Sequence, residues 1–401
     1  MRVLTITAND NGIGGASRIA MESHKAYAAA GHDVSMLVGK RTSTDQAVQE
    51  LRRPLWRKAL SYLLANDFDY FDGSQILEAP QFRDADVVHC HNLNGWYFNL
   101  PTLIEMGRQK PVVWTLHDMW AITPHSAHTD SRKLQNGLLT LSDPSLYPAT
   151  LWNNDRWLAR RKTQIYRALT AHVVTPCSWL ASLVSQTSLA SQPLSVIYNG
   201  TNLSPFLAAN RSGAKERVGL DERPLALFVG AAATSNPFKG FGDFEWLANS
   251  KTDCPIQFVC LGVEEDVTRA GMRVMRSTRD RQRIAAVMAA ADVLVVPSRH
   301  EVLPTVIIEA MACGTPTVAY NVGGISEMFT GDLGGTVVPP QDRLGLREAV
   351  IKTALRPLSA QAEFSTRLRR HAKNSFGVDR MASQYIELFE SLLSQRGALA
   401  S

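Results

Sequence analysis

The chain has 401 residues, 45% of them hydrophobic and 20% charged, with a formal net charge of +5. At about 150 residues per domain there is room for two or three cores, and no apolar run reaches the roughly 18 residues that span a bilayer. A single small module and a membrane-spanning chain are set aside, and so is a nucleic-acid partner, because the modest charge lacks a basic stripe interleaved with aromatics.

Cys90, Cys177, Cys254, Cys260 and Cys313 are scattered and odd in number, which suits a reducing compartment. The amino terminus MRVLTITAND has no small-residue cleavage site, so a cytoplasmic location is expected.

In chain order, short β-branched runs alternate with amphipathic stretches, the pattern of parallel sheets built from β-α-β units. The expected strands are 3–8, 34–38, 87–90, 112–116, 172–175 and 195–198, then 225–229, 256–261, 273–276, 293–297, 316–319 and 336–338. Two such sets predict an α/β chain of two doubly wound domains. The pattern relaxes over 199–222, which reads as a linker. The last segment, 378–393, spaces Met381, Tyr385, Leu388, Phe389 and Leu392 by three or four residues, predicting an amphipathic helix.

Gly12-Ile13-Gly14-Gly15-Ala16 follows the first strand and opens a helix, a position where a bare backbone and helix-start amides can cradle phosphate. A dinucleotide dehydrogenase would want a third glycine where Ser17 stands and a carboxylate after the second strand, where Gly39-Lys40-Arg41 stands instead. An NADP enzyme and a purely structural turn both stay open on this motif alone.

Residues 297–324, PSRHEVLPTVIIEAMACGTPTVAYNVGG, follow a buried strand. Thr305 after Pro304 reads as the N-cap of a short helix that stops at Gly314, with Glu301 just ahead of it and Glu309 about one turn inside. The helix-start amides of Leu303, Thr305, Val306 and Ile307 would hold a diphosphate, leaving one carboxylate for sugar hydroxyls and one for ribose. Taken as two isolated glutamates, they would equally serve as solvated charges.

The whole segment resembles the glutamate, seven residues, glutamate motif of retaining GT-B glycosyltransferases and their following E-A-M-A-C-G-T-P-T-V-A run. Asn199-Gly200 resembles the family's I-x-N-G hinge, Lys239-Gly240 its K-G helix start, Thr115-Leu116-His117-Asp118-Met119-Trp120 its acceptor-side motif, and Gly14-Gly15-Ala16 its donor loop. In that order they are similar to family 4 enzymes, particularly those of bacterial exopolysaccharide and lipopolysaccharide assembly.

The resemblance implies a GT-B fold of two Rossmann-like domains facing a central cleft: 1–203 with the helix 378–401 on the acceptor side, and 204–377 binding the donor. It implies a hexose moved from a nucleotide-diphosphate sugar to a glycan or lipid-linked acceptor with retention, without metal or other cofactor.

By the same likeness Lys239 neutralises the diphosphate, Glu301 takes the donor sugar and Glu309 the ribose, while Gly15 faces the phosphates and His117, with Asp118 beside it, faces the reacting sugar. Gly230, Gly262, Arg276 and Thr278 would lie near the base. Relatives carry an arginine where Ala231–Thr234 stands here, so Arg18 and Arg299 are candidate replacements. A nucleotide-sugar epimerase or hydrolase and a catalytically silent subunit are the competing readings within the fold.

Asp67-Phe68-Asp69 and Asp84-Ala85-Asp86 match D-x-D, but neither stands at a strand mouth as a metal site would need. His89 and His91 fit a structural or acceptor-side role better than zinc, and His125 and His128 stand in a loop that would take a metal, the acceptor or, as loop histidines usually do, neither. Trp152, Arg156, Trp157, Arg160 and Arg161 would suit a glycan or lipid-phosphate path, with core packing the alternative for about half of them. The stretch 51–64 is basic with an apolar face, fitting either an anionic membrane surface, as in a peripheral contact with the inner membrane, or an ordinary domain helix.

Overall fold

A computed structural model describes the chain except residues 11–13, 142–149, 231–235, 251–254, 264–267, 270, 332 and 401. Gly12, Ile13, Ala231–Thr234 and Cys254 therefore lie outside the described residues. The chain divides into two units: Met1–Gly200 with Val378–Ser401, and Thr201–Gly377. The division falls three residues before the expected 203/204 boundary.

Unit 1 contains β1 (Arg2–Asn9), β2 (Asp33–Lys40), β3 (Val48–Glu50), β4 (Val87–Cys90), β5 (Val112–Thr115), the small hairpin β6 (Leu134–Gln135) and β7 (Leu138–Leu139), β8 (His172–Thr175) and β9 (Leu194–Val196). Its main sheet runs β3-β2-β1-β4-β5-β8-β9 with every pairing parallel. The order reverses between β1 and β4, so the ends of β4 and β5 lie where doubly wound sheets keep their ligands. The final helix, Val378–Ala400, packs Met381, Tyr385 and Phe389 against Val3, Ile19, Tyr27 and Val87. Each buried branched or aromatic side chain of this kind contributes about 1.5–3 kcal/mol, enough to hold the last segment on this sheet.

Unit 2 contains β10 (Leu225–Val229), β11 (Gln257–Val263), β12 (Thr268–Arg269), β13 (Met272–Arg276), β14 (Val293–Val296), β15 (Thr317–Tyr320) and β16 (Gly335–Val338). The order is β12-β13-β11-β10-β14-β15-β16, parallel apart from the edge pair β12–β13. Ala226, Phe228, Phe244, Phe258, Val293 and Tyr320 fill one side of this sheet.

Three expectations need correction. The stretch 199–222 is not free of structure: it forms the short helices Ser204–Leu207 and Ala214–Arg217, anchored by buried Phe206 and Ala214. The helix cap after β14 is Pro304, in extended conformation, with Thr305 as the first helical residue. A ring without an N–H loses nothing ahead of the first turn. Lys239 closes a one-turn 3-10 segment, Pro237–Lys239, and Gly240 stands between it and the helix Phe241–Asn249.

Candidate functional site

In unit 2 the loop after β14 and the turn after β10 are laced together. The Arg299 amide donates to the Phe238 carbonyl at 2.8 Å, and the His300 ring meets Phe238 edge-on at 5.2 Å. Gly240, at φ 70°, lies so close to Pro297 that a Cβ would run into its carbonyl oxygen. Only glycine permits that approach.

The result is a close pair: Lys239 Nζ sits 2.7 Å from Glu301 Oε1, and the Ser298 hydroxyl donates to the same oxygen at 3.0 Å. The Glu301 side chain keeps 12% of its exposure and that of Lys239 32%, so the pair remains within reach of a ligand.

Immediately beyond, buried Val302, Leu303 and Pro304 lead into the helix Thr305–Ala312, which has no side-chain cap. A helix start leaves its leading amides without intrahelical carbonyls and carries the positive end of the dipole. Thr305 and Val306 are partly exposed there. Ile307 is not available as expected, because its amide donates to the Pro304 carbonyl at 3.2 Å.

Glu309 is 4% exposed, and Arg281 NH2 approaches its Oε1 at 3.9 Å. A carboxylate that deep is not an ordinary solvated helix residue. Gly230 and Gly262 bring the ends of β10 and β11 into backbone contact, and the pairing of β11 with β13 shifts register between Leu261 and Val263. Arg276 ends β13, and the Thr278 hydroxyl accepts the Asp280 amide at 3.1 Å, ahead of the helix Arg281–Ala290.

In unit 1, Gly14 and exposed Gly15 open the helix Gly15–Ala29 without a side-chain cap, and the Arg18 amide donates to Gly14 O. The Arg18 side chain is partly exposed, while Asn199 is buried at the end of the unit beside Gly200, whose amide reaches Met381 Sδ.

The histidines gather at the ends of β4 and β5. His91 Nδ1 lies 2.9 Å from His117 Nε2 in stacked rings. His89 Nε2 meets Thr115 Oγ1 at 2.8 Å, Thr115 Oγ1 meets the Tyr385 hydroxyl at 2.8 Å, and the Tyr27 hydroxyl meets His89 Nδ1 at 3.1 Å. The last helix is thereby tied to the site strands. Burial holds His117 down to about 4 and His89 to about 3, so both rings are neutral at pH 7.

Asp118 serves its own loop. Its Oδ1 accepts the Trp120 amide and its Oδ2 the Asn94 side-chain amide, each at 2.9 Å. Burial pushes its carboxyl up to about 6. Lys162, fully buried, donates to the carbonyls of Trp120 at 2.6 Å and Thr123 at 3.1 Å, and Asp67 accepts the Trp120 indole N–H. The composition of the helix Asp155–Ala168 gave no signal for this lysine's role, nor did that of the helix Arg281–Ala290 for Arg281.

Three of the four D-x-D carboxylates are engaged elsewhere, Asp67 with Trp120, Asp69 with Arg161 and Asp86 with Arg2, while Asp84 is exposed. His125 Nε2 faces Asp155 Oδ1 at 3.3 Å. No group of three or more His, Cys, Asp or Glu arranged to hold a metal occurs among the described residues.

Comparison with known proteins matches residues 13–205 to the model described as Glycosyltransferase Family 4 and residues 224–355 to that described as Glycosyl transferases group 1. The chain is a GT-B glycosyltransferase of the family 4 type. The NADP reading of the glycine turn is dropped with that assignment.

A D-inositol 3-phosphate glycosyltransferase of Xylanimonas cellulosilytica is 24% identical, covering 96% of this chain and 93% of its own. The structure of Anabaena Alr3699/HepE in complex with UDP-glucose superposes with a TM-score of 0.66 at 18% identity, covering 98% of this glycosyltransferase and 100% of that chain. WaaG, a glycosyltransferase involved in lipopolysaccharide biosynthesis, superposes with a TM-score of 0.62 at 16% identity, covering 96% and 99%. Among the described residues no helix is long and apolar enough to cross a membrane.

Proposed function

We propose that this glycosyltransferase moves a hexose from a nucleotide-diphosphate sugar to a glycan or lipid-linked acceptor, with retention of anomeric configuration and without a metal ion, in cell-surface polysaccharide synthesis at the cytoplasmic side of the membrane. The observation that carries the reading is the Lys239–Glu301 pair at the head of the helix Thr305–Ala312, with Glu309 buried within that helix. The likenesses to a protein holding UDP-glucose and to one of lipopolysaccharide biosynthesis support donor class and setting.

On this reading the donor diphosphate meets the amides of Leu303, Thr305 and Val306 and the Lys239 ammonium. As the sugar–phosphate bond lengthens, negative charge grows on the diphosphate, and a lysine already fixed at that point stabilises it without rearrangement. Glu301 accepts hydrogen bonds from sugar hydroxyls and Glu309 from the ribose. In unit 1, Gly14, Gly15 and Arg18 would serve the phosphates and His117 the sugar, while Asp118 shapes the loop. Engagement of Asp67, Asp69 and Asp86 by Trp120, Arg161 and Arg2 leaves neither D-x-D pair with two free carboxylates and favours metal-independent transfer.

A panel of GDP-, UDP- and dTDP-sugars, followed by thermal shift and by nucleotide release with and without EDTA, tests this. One nucleotide sugar should stabilise the wild type, with release unaffected by EDTA and lost in Lys239→Ala and Glu309→Ala. NMR of the product should give the donor's anomeric configuration. Donor hydrolysis with no transfer to any acceptor would assign it to the hydrolases instead.

A further inference from the structure

The helix Leu55–Leu63 is turned inside out for a water-facing domain surface. Its one buried side chain is Ser61, while Leu55 is 83% exposed, Trp56 61% and Leu63 62%. Trp152, half exposed, adjoins it, donating its indole N–H to the Leu63 carbonyl at 3.0 Å. Of the eleven exposed large hydrophobic residues among those described, five lie between 55 and 64 and three between 151 and 157. Isolated exposed leucines need no explanation, but a concentrated patch marks a surface that is covered in use.

The charge around the patch says by what. Residues 52–64 carry Arg52, Arg53, Arg57 and Lys58 and no acidic residue. The Arg57 guanidinium stacks over the Trp56 ring at 5.0 Å and donates to the Tyr70 carbonyl, which fixes both side chains at the surface. Arg52 and Lys58 are exposed.

A second copy of the chain is disfavoured as occupant, since a two-fold contact sets these cations against their own duplicates. A nucleic-acid backbone would satisfy the cations but leave Leu55 and Leu63 unused. Tryptophan and leucine flanked by arginine and lysine, on a helix lying along the surface, is the composition that enters the headgroup region of an anionic bilayer.

We infer that the helix Leu55–Leu63, with Trp152, is a membrane-docking surface of unit 1 that recognises anionic lipid, its apolar residues entering the interface and Arg52 and Lys58 meeting the headgroups. Docking of this kind is independent of which sugar is transferred and requires no donor.

The full chain is mixed with vesicles of phosphatidylcholine alone or with one third phosphatidylglycerol, and bound protein is measured by co-sedimentation at low and at 0.5 M salt. Binding should be at least tenfold stronger to the anionic vesicles and weaken with salt, and tryptophan fluorescence should be quenched by brominated acyl chains. Trp56→Ser with Leu63→Ser should lower partitioning tenfold or more, and Arg52→Gln and Lys58→Gln about fivefold each on anionic vesicles. All are exposed, so melting temperatures should stay near wild type and mark each variant as folded. Equal or absent binding to both vesicles overturns the inference. So does a light-scattering dimer that Trp56→Ser dissociates while vesicle binding is nil.

Discussion

His91 and His117 share one hydrogen bond between rings parallel to within 8°, and each has its other ring nitrogen buried without a hydrogen-bond partner among the described residues. Neutral imidazoles can make this contact with a single proton, whereas charging both sets like charges together. Burial holds His117 to about 4 and His91 well below its ordinary value.

An unfolded histidine takes up its proton near pH 6.5, folded His117 only near 4 and folded His91 well below its ordinary value, so the folded state loses stability as pH falls below 6.5. Each such histidine contributes up to about 1.4 kcal/mol per pH unit. Asp118, raised to about 6, and Asp67, also raised by burial, keep protons the unfolded chain has lost and oppose this. With His89, His91 and His117 outnumbering them, melting temperature should fall between pH 6.5 and 4.5. His91→Gln should flatten that slope by about one proton, and a slope unchanged in the variant would refute the assignment.

Lys162 gives the opposite window. Burial lowers it to about 7, although the nearby carboxylates of Asp67 and Asp118 resist the shift. The unfolded lysine keeps its proton to about 10.4, so from about pH 7 upward the unfolded state binds more protons and this group adds stability with rising pH. Lys162→Met should abolish that rise. At pH 7 it should also cost roughly 3–5 kcal/mol, because buried carboxylates lose their cation and two carbonyls their donor. Urea unfolding at pH 7 and pH 9 measures both.

Much of the fold was legible because buried parallel strands are continuous β-branched runs: β4, β8 and β10 have the expected limits, and the other expected strands shift by no more than two residues at an end. What escaped was short or at an edge. β3 and β12 have three and two residues and too little apolar content to announce themselves. The β6–β7 hairpin did have a signal, Asn136-Gly137 between Leu134-Gln135 and Leu138-Leu139, with φ 52° and 81°.

In the site, Lys239, Glu301 and Glu309 stood out through the resemblance of their motifs to the family's, since two glutamates at that spacing would otherwise read as solvated charges. The ring contact of His91 with His117 and the reach of Lys162 arise from neighbouring strands and a distant helix, which spacing along the chain cannot express.

Lys239 and Glu301 also allow charge to be separated from shape. The pair is partly exposed, so breaking it should cost at most about 1 kcal/mol of stability. The loss should appear in turnover instead. Lys239→Ala should lower kcat/KM by about 100-fold or more, the scale for removing a fixed charge from a developing anion. Glu301→Gln keeps the shape but weakens sugar contacts and should raise KM while retaining donor-dependent thermal shift. Steady-state kinetics beside a melting curve resolve the two, and equal damage to stability and rate in Lys239→Ala would reduce the pair to scaffolding.

Two glycines test whether backbone approach serves the fold or the ligand. At Gly240 the left-handed φ of 70° and the crowding by Pro297 both penalise a side chain, so Gly240→Ala should destabilise by several kcal/mol and lower the melting temperature sharply. Around Gly15 a Cβ meets nothing within 4 Å among the described residues and φ is not left-handed, so Gly15→Ala should fold as the wild type does or slightly better. If the donor phosphates approach that helix start, the added methyl group should lower donor affinity at unchanged melting temperature in the absence of ligand. A Gly15→Ala protein with wild-type donor affinity would move the phosphates away from this turn and leave them to the helix Thr305–Ala312 alone.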